Sequence, residues 1–260
     1  MPSSTPPVRL ERSRLVLGPD GLVVDVHDGG GDGPVVLLLH GVGLSHRPYR
    51  RLAAHLAPDA RVVALDLPGF GATPKPRRSV PVEEYAGLIG QVLDLLGVAS
   101  CVAVGHSMGA QFALELALQR ADLVSHVVLV GPVTDSAHPT ALRQTLVLAR
   151  DSALEPLTTN AVVLTDYIRT GPRWYFTEVA AMLAYPTHER IVGLAAPLLV
   201  VRGSNDPIAT EEWCSRLIAA AGGGTLRTVP GHRHVVVHTA PGEVAREILA
   251  HARTSEAAAS

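Results

Sequence analysis

The sequence predicts an α/β protein with a doubly wound, mostly parallel sheet and an inserted helical cap. Three observations carry that expectation. Strand-sized apolar runs recur along the chain, stretches of helical period fall between them, and one segment, residues 132–190, breaks the alternation. A continuous apolar run suits a strand buried on both faces, as in a parallel sheet covered by helices. Strands alternating with helices imply short loops and right-handed crossovers. At 260 residues, 47% of them hydrophobic, the chain can bury one sizeable core.

The elements follow in order. The Pro- and Ser-rich opening, residues 1–8, is expected to be mobile. "LVVDVH" (22–27) reads as a strand and "DGGGDG" (28–33) as a turn. "PVVLLLH" (34–40), "RVVALD" (61–66), "SCVAVG" (100–105), "HVVLVG" (126–131) and "PLLVVRG" (197–203) read as buried strands. Between them, Val82, Tyr85, Ala86, Ile89, Val92, Leu93 and Leu96 mark one apolar helical stripe. Residues 108–119 are nearly all apolar, as in a helix packed deep against a sheet. "EEWCSRLIAAA" (211–221) runs into "GGG", a helix stop, and Pro241 opens the last helix.

Residues 132–190 carry no long β run and read as several helices. Five of the ten aromatics fall there: Tyr167, Trp174, Tyr175, Phe176 and Tyr185. Ligands bind at the C-terminal edge of open α/β sheets, so the segment is expected to cover that edge. The domain reading is a core of 1–131 and 191–260 with a helical cap of 132–190.

Net charge is −2, without a basic run or a charge block, which argues against nucleic acid as a partner. "MPSSTPPVRL" lacks the basic-then-apolar pattern of a signal peptide, and no apolar stretch reaches bilayer-spanning length. A soluble, cytoplasmic protein with no membrane partner is expected. Cys101 and Cys214 fit that compartment as buried thiols and lack metal-ligand spacing. Nothing in the sequence specifies an oligomeric state.

"VGHSMGAQF" (104–112) raises the chemical question. Ser107 is either a nucleophile on a strained strand-to-helix turn or a polar residue in a glycine-rich bend. The flanking apolar strand and helix favour the turn, where Gly105 and Gly109 supply small neighbours and the N–H of Met108 faces an oxyanion formed on attack. A serine needs a base, and the base an orienting carboxylate. Both belong in loops after later strands. "GSNDP" presents Asp206, and "PGHRHVVVH" presents His232, His234 and His238. Asp135, after "HVVLVG", is the rival acid. The strand end His40-Gly41-Val42-Gly43 offers the second oxyanion donor, the N–H of Val42. A metal site on the three histidines would ordinarily also need an acidic or Cys ligand, so no metal is expected. His40 and His106 are read as packing residues, and Asp66 as a support for the "LPGFG" loop. Arg169 and Arg173 read as solvated side chains or as contacts to an acidic substrate.

Together "LLLHGVG", "DLPGFGAT", "VGHSMGA", "VRGSNDPI" and the closing "GHRHVVVHTAPGEVAREIL" resemble the α/β-hydrolase superfamily, in its branch with a small helical cap; the likeness covers about 20–250. "DYIRTGPRW" (166–174) is similar to bacterial carboxylesterases and carbon–carbon bond hydrolases. The resemblance implies the α/β-hydrolase fold and a triad of Ser107, Asp206 and His234. The family's histidine commonly stands seven residues before the proline of the last helix, which selects His234 over His232. A serine at the turn separates this chain from relatives that use a carboxylate nucleophile.

Acyl transfer then follows, with a small-molecule carboxylic ester as substrate and no cofactor. The same triad also serves carbon–carbon bond hydrolysis of a diketone, thioester release or cofactor-free perhydrolysis. A non-catalytic ligand binder is the reading from another class. Tyr167, Trp174 and Tyr175 are the candidate substrate contacts, each combining an apolar face with a polar tip.

Overall fold

The computed structural model describes residues 8–133 and 157–254. Of the residues expected to be mobile, 1–8, all but residue 8 lie outside them, as do Asp135 and residues 134–156 of the expected cap. Among the described residues the strands are β1 (Glu11–Leu17), β2 (Leu22–Asp28), β3 (Val35–Leu39), β4 (Arg61–Asp66), β5 (Cys101–His106), β6 (Val124–Val130), β7 (Leu198–Gly203) and β8 (Thr225–Val229). The helices are α1 (Arg50–Leu56), α2 (Val82–Leu95), α3 (Gly109–Gln119), α4 (Leu157–Thr170), α5 (Pro172–Ala184), α6 (Thr187–Arg190), α7 (Glu211–Ala220), α8 (Val236–Thr239) and α9 (Pro241–Ala252).

The strands form one sheet in the order β1-β2-β4-β3-β5-β6-β7-β8. β1 and β2 join antiparallel, and every pairing from β4 onward is parallel. The continuous apolar runs have a direct cause. Successive strand residues point to opposite faces, and each face meets its own core. Leu37, Leu39, Ala103, Val127 and Leu129 pack with α2, α3 and α7, while Val36, Leu38, Val102, Val104 and Val128 pack with α1 and α9. Both faces are therefore apolar.

β1 is the strand the apolar pattern did not announce. "ERSRLVL" is mostly exposed, as suits a sheet edge guarded by charge. Arg12 and Arg14 both donate to Asp25 on β2, at 2.6 Å each. Those donors outweigh the burial of Asp25, which alone would raise its pKa, and hold the carboxyl below its ordinary value.

β3, β5, β6 and β7 run parallel, so their C-terminal ends share one edge of the sheet. The loops that follow, beginning at His40, Ser107, Gly131 and Ser204, gather there. Helices α4, α5 and α6 lie between β6 and β7 in the chain and form a cap region against the loop after β3 and the loop after β4. No helix among the described residues is long and apolar enough to cross a membrane.

Candidate active site

Ser107 follows β5 directly and has φ 58, the one positive φ of a non-glycine residue among those described. That conformation costs energy for a residue with a Cβ and is kept only where the surroundings enforce it. Here they do. The N–H of Ser107 donates to the Val130 carbonyl at 2.9 Å, and its own carbonyl accepts from Ala110 at 3.0 Å. A Cβ on Gly105 would collide with the Gly109 carbonyl, and one on Gly109 with the Leu39 carbonyl. The loop after β3 comes equally close, since a Cβ on Gly41 would lie 2.8 Å from that of Ser107. Each glycine is therefore required by backbone packing.

Asp206 and His234 meet in a buried hydrogen bond, Nδ1 of the imidazole donating to Oδ2 at 2.9 Å. The other carboxylate oxygen accepts the N–H groups of Ile208 at 2.8 Å and Ala209 at 3.0 Å. Burial would push the Asp206 carboxyl up; the neighbouring His234 imidazole and these donors outweigh it and hold the carboxyl below its ordinary value. It is thus an anchored anion that fixes the His234 tautomer with Nδ1 protonated and leaves Nε2 as the basic nitrogen. The pair sits beside the Ser107 turn. A Cβ on Gly131, next to the residue that receives the Ser107 N–H, would lie 3.2 Å from the His234 ring and 3.4 Å from Asp206 Oδ2. His106, packed at 5.0 Å between ring centroids from His234, donates to the His234 carbonyl at 2.9 Å. Burial, reinforced by the neighbouring His234, takes His106 down to about 3, so it stays a neutral donor.

The three candidate histidines take different partners. His232 Nδ1 pairs with Thr239 Oγ1 at 2.9 Å, and His238 Nδ1 donates to the Pro48 carbonyl at 3.2 Å. Neither is bonded to Asp206, and the three do not converge as metal ligands. His40 Nδ1 donates to the Gly41 carbonyl at 2.9 Å while Nε2 accepts the Leu67 N–H at 3.2 Å. Burial keeps His40 below the ordinary imidazole value, so it is a neutral staple between two loops.

Val42 and Met108 stand where the two oxyanion donors are expected, in the loop after β3 and at the start of α3. Among the described residues, neither N–H is taken by a turn or a side-chain acceptor. The start of α3 adds the favourable end of a helix dipole.

The cap aromatics separate into groups. The Tyr167 and Tyr175 rings press on the loop after β3, where a Cβ on Gly43 (φ 75) would lie 2.6 Å and 2.9 Å from them. The Trp174 indole presses on Gly69 of the "LPGFG" loop, its Nε1 buried without a hydrogen-bond partner. Phe176 is exposed, and Tyr185 is a structural donor to Glu115 at 2.8 Å. Arg169 and Arg173 are exposed, in keeping with solvated side chains.

Polar residues that sequence reasoning missed surround the same loop. Buried Asp166, on α4, accepts from Ser45 Oγ at 2.6 Å and from Arg47 Nη1 at 3.0 Å. Thr170, one turn on, donates to the Gly43 carbonyl at 3.1 Å. Asp66, expected to support the "LPGFG" loop, instead accepts the His46 N–H at 2.7 Å and the rings of His46 at 3.1 Å and His27 at 3.2 Å. It meets that loop through packing at Gly71.

His27, His46 and Asp66 are the one group among the described residues whose donor atoms could gather on a metal, lying within 4.8 Å of one another. The imidazoles stack at 3.5 Å with planes 23° apart. Their in-plane lone pairs therefore run side by side rather than converging, and hydrogen bonds to Asp66 account for the group.

Comparisons with known proteins bear on the fold. Residues 34–155 match the model of the alpha/beta hydrolase fold family. A probable esterase of Oryza sativa subsp. japonica is 37% identical over 121 residues, 43% of this chain and 44% of that one. The chain spans less than two thirds of such curated relatives, and 30% of an uncharacterized protein of Mycobacterium tuberculosis. Among solved structures, the enol-lactonase of Burkholderia xenovorans LB400 superposes with a TM-score of 0.79 at 20% identity, covering 92% of this chain and 99% of that one. A meta-cleavage product hydrolase of Pseudomonas fluorescens IP01 gives 0.74 at 19% identity, covering 95% and 99%. At such identities the superpositions speak for the fold. With the family match over residues 34–155, they show that the chain has the α/β-hydrolase fold.

Proposed function

We propose that this protein is a serine hydrolase that cleaves a small to mid-sized carboxylic ester through an acyl-enzyme. The observation that carries this reading is the strained Ser107 turn beside the Asp206–His234 pair. In the first step Ser107 Oγ attacks the ester carbonyl and His234 Nε2 takes its proton. The tetrahedral oxyanion is met by the N–H groups of Val42 and Met108, and collapse expels the alcohol with the proton that His234 held. Water, activated by the same imidazole, then releases the acid and frees Ser107. Asp206 stays ionised throughout and stabilises the imidazolium.

Residues 132–190 act in this reading as a cap that selects the substrate over a core of 1–131 and 191–260. Tyr167 and Tyr175 press on the loop bordering Ser107 and Trp174 on the loop after β4, and in this reading an acyl chain or a leaving group lies between them. The test is a panel of p-nitrophenyl esters from acetate to laurate beside a ring-cleavage diketone, run on the wild type and Trp174→Ala. The wild type is expected to prefer short to mid-length esters over the diketone. Trp174→Ala should shift the chain-length profile of kcat/KM. Preference for the diketone would replace ester cleavage with carbon–carbon bond hydrolysis. A uniform loss across the panel would return Trp174 to a packing role.

A further inference from the structure

We infer that Asp166, a residue of the cap region, is a positioning residue for the oxyanion hole: its hydrogen bonds to Ser45 and Arg47 hold the loop that aims the Val42 N–H. The inference rests on the serine-hydrolase reading above and adds to it a dependence of the chemistry on a seated cap.

Val42 lies between Gly41 and Gly43, and glycine has the largest backbone freedom to lose on ordering. A local turn, the Leu44 N–H donating to the Gly41 carbonyl at 3.2 Å, shapes the segment, and tertiary contacts set how that turn and its Val42 N–H sit against Ser107. On the core side, His40 fixes the Gly41 carbonyl and Asp66 fixes the His46 N–H. Between those two points the loop is held from α4. Asp166 takes the Ser45 hydroxyl and the Arg47 guanidinium, and Ser45 Oγ in turn accepts the Arg47 N–H at 3.2 Å. Tyr167 seats its ring on Gly43, and Thr170 takes the Gly43 carbonyl. Residues 166, 167 and 170 share one helix face, so a single element grips the loop from Gly43 to Arg47.

Asp166 is only 1% exposed, although it faces a serine and an arginine 121 and 119 residues away in sequence. A buried carboxylate that spends both oxygens on one loop is a costly way to attach a helix, and an effective way to fix a loop's geometry. An oxyanion donor acts through its aim at the developing charge, so a loosened loop should lower turnover more than substrate binding.

The experiment compares Asp166→Ala with Arg190→Ala. Arg190 joins Glu115 of α3 at 2.8 Å and tethers the cap region away from the oxyanion loop. For each variant kcat and KM are measured on a p-nitrophenyl ester and on its thionoester, whose sulfur is a poorer fit to an oxyanion hole. Thermal unfolding verifies the fold. Asp166→Ala is expected to lose about 10- to 100-fold in kcat with KM within about threefold, and its preference for the oxygen ester should shrink. Arg190→Ala should keep the wild-type preference. Should Asp166→Ala fail to fold, Ser45→Ala and Thr170→Val carry the same expectation. An oxygen-to-thiono preference equal in all folded variants overturns the inference and leaves the serine-hydrolase reading standing. A wild type inert toward every ester removes that reading first.

Discussion

The nucleophile turn and the cap region meet over one loop, yet they are held by opposite means. The turn is fixed by steric exclusion. Gly41, Gly105 and Gly109 let backbones approach where no side chain fits, and Ser107 is left in a left-handed conformation. The cap region is fixed by side-chain hydrogen bonds: Asp166 to Ser45 and Arg47, Glu115 to Arg190 and Tyr185, Gln111 to the Met182 carbonyl. Exclusion yields one rigid arrangement, because any added atom collides. Under the proposed function, the fixed geometry of attack would belong to the core and the fit of the substrate to the cap region.

Disabling the fixed half should have the largest effect. Asp206→Asn keeps the shape of the site but presents the wrong partner to His234 Nδ1. It should cost about 10⁴ in kcat, measured by ester hydrolysis at saturating substrate. His232→Ala, which removes a partner of Thr239, should retain near-normal turnover. If His232→Ala is the dead variant, the base has been assigned two residues out of register.

Next in size is a pure steric test. Gly109→Ala drives a Cβ into the Leu39 carbonyl, backbone against backbone. The expected loss of stability exceeds about 4 kcal/mol or abolishes folding, as read by denaturant unfolding. Gly97→Ala, a control with positive φ and nothing near its missing Cβ, should cost far less. Equal losses would mean that exclusion is not what fixes the turn.

The smallest effect belongs to the cap side. Glu178 is buried on α5, one turn beyond Trp174; burial outweighs the hydrogen bonds of Tyr85 and the Val80 backbone and pushes its carboxyl from 4.5 up to about 7. A folded-state value above the unfolded one means that the stabilising contribution is complete below about pH 4.5 and is lost as pH rises through about 7. Glu178→Gln should remove that loss, so its Tm should exceed the wild type's at pH 8 and converge with it at pH 5. A wild-type Tm that is flat between those values, relative to the variant, contradicts a neutral Glu178.

The same contrast explains what was legible in the sequence. Steric requirements are written locally, one glycine at a time. "VGHSMGA" and "HGVG" therefore disclosed the turn and its neighbouring loop, and apolar runs disclosed every parallel strand up to β7. β1 was illegible because an exposed edge strand such as "ERSRLVL" shows no apolar alternation. Asp166, Ser45 and Arg47 were illegible for another reason. A hydrogen bond between residues more than a hundred positions apart leaves no period or spacing at either end. The cap aromatics were legible as a group but not individually. Tyr167, Trp174 and Tyr175 press on the motif loops, whereas Phe176 faces solvent and Tyr185 anchors Glu115.

The claim that all of this serves is that Ser107 becomes acylated. Its most direct measurement is intact-mass and peptide-mass spectrometry of the protein after exposure to a small fluorophosphonate, which captures an activated serine irreversibly. The account predicts one adduct per chain, on the peptide carrying Ser107, and no adduct in Ser107→Ala with its fold intact. Ester turnover by the wild type with the adduct elsewhere, or undiminished turnover by folded Ser107→Ala, would contradict it.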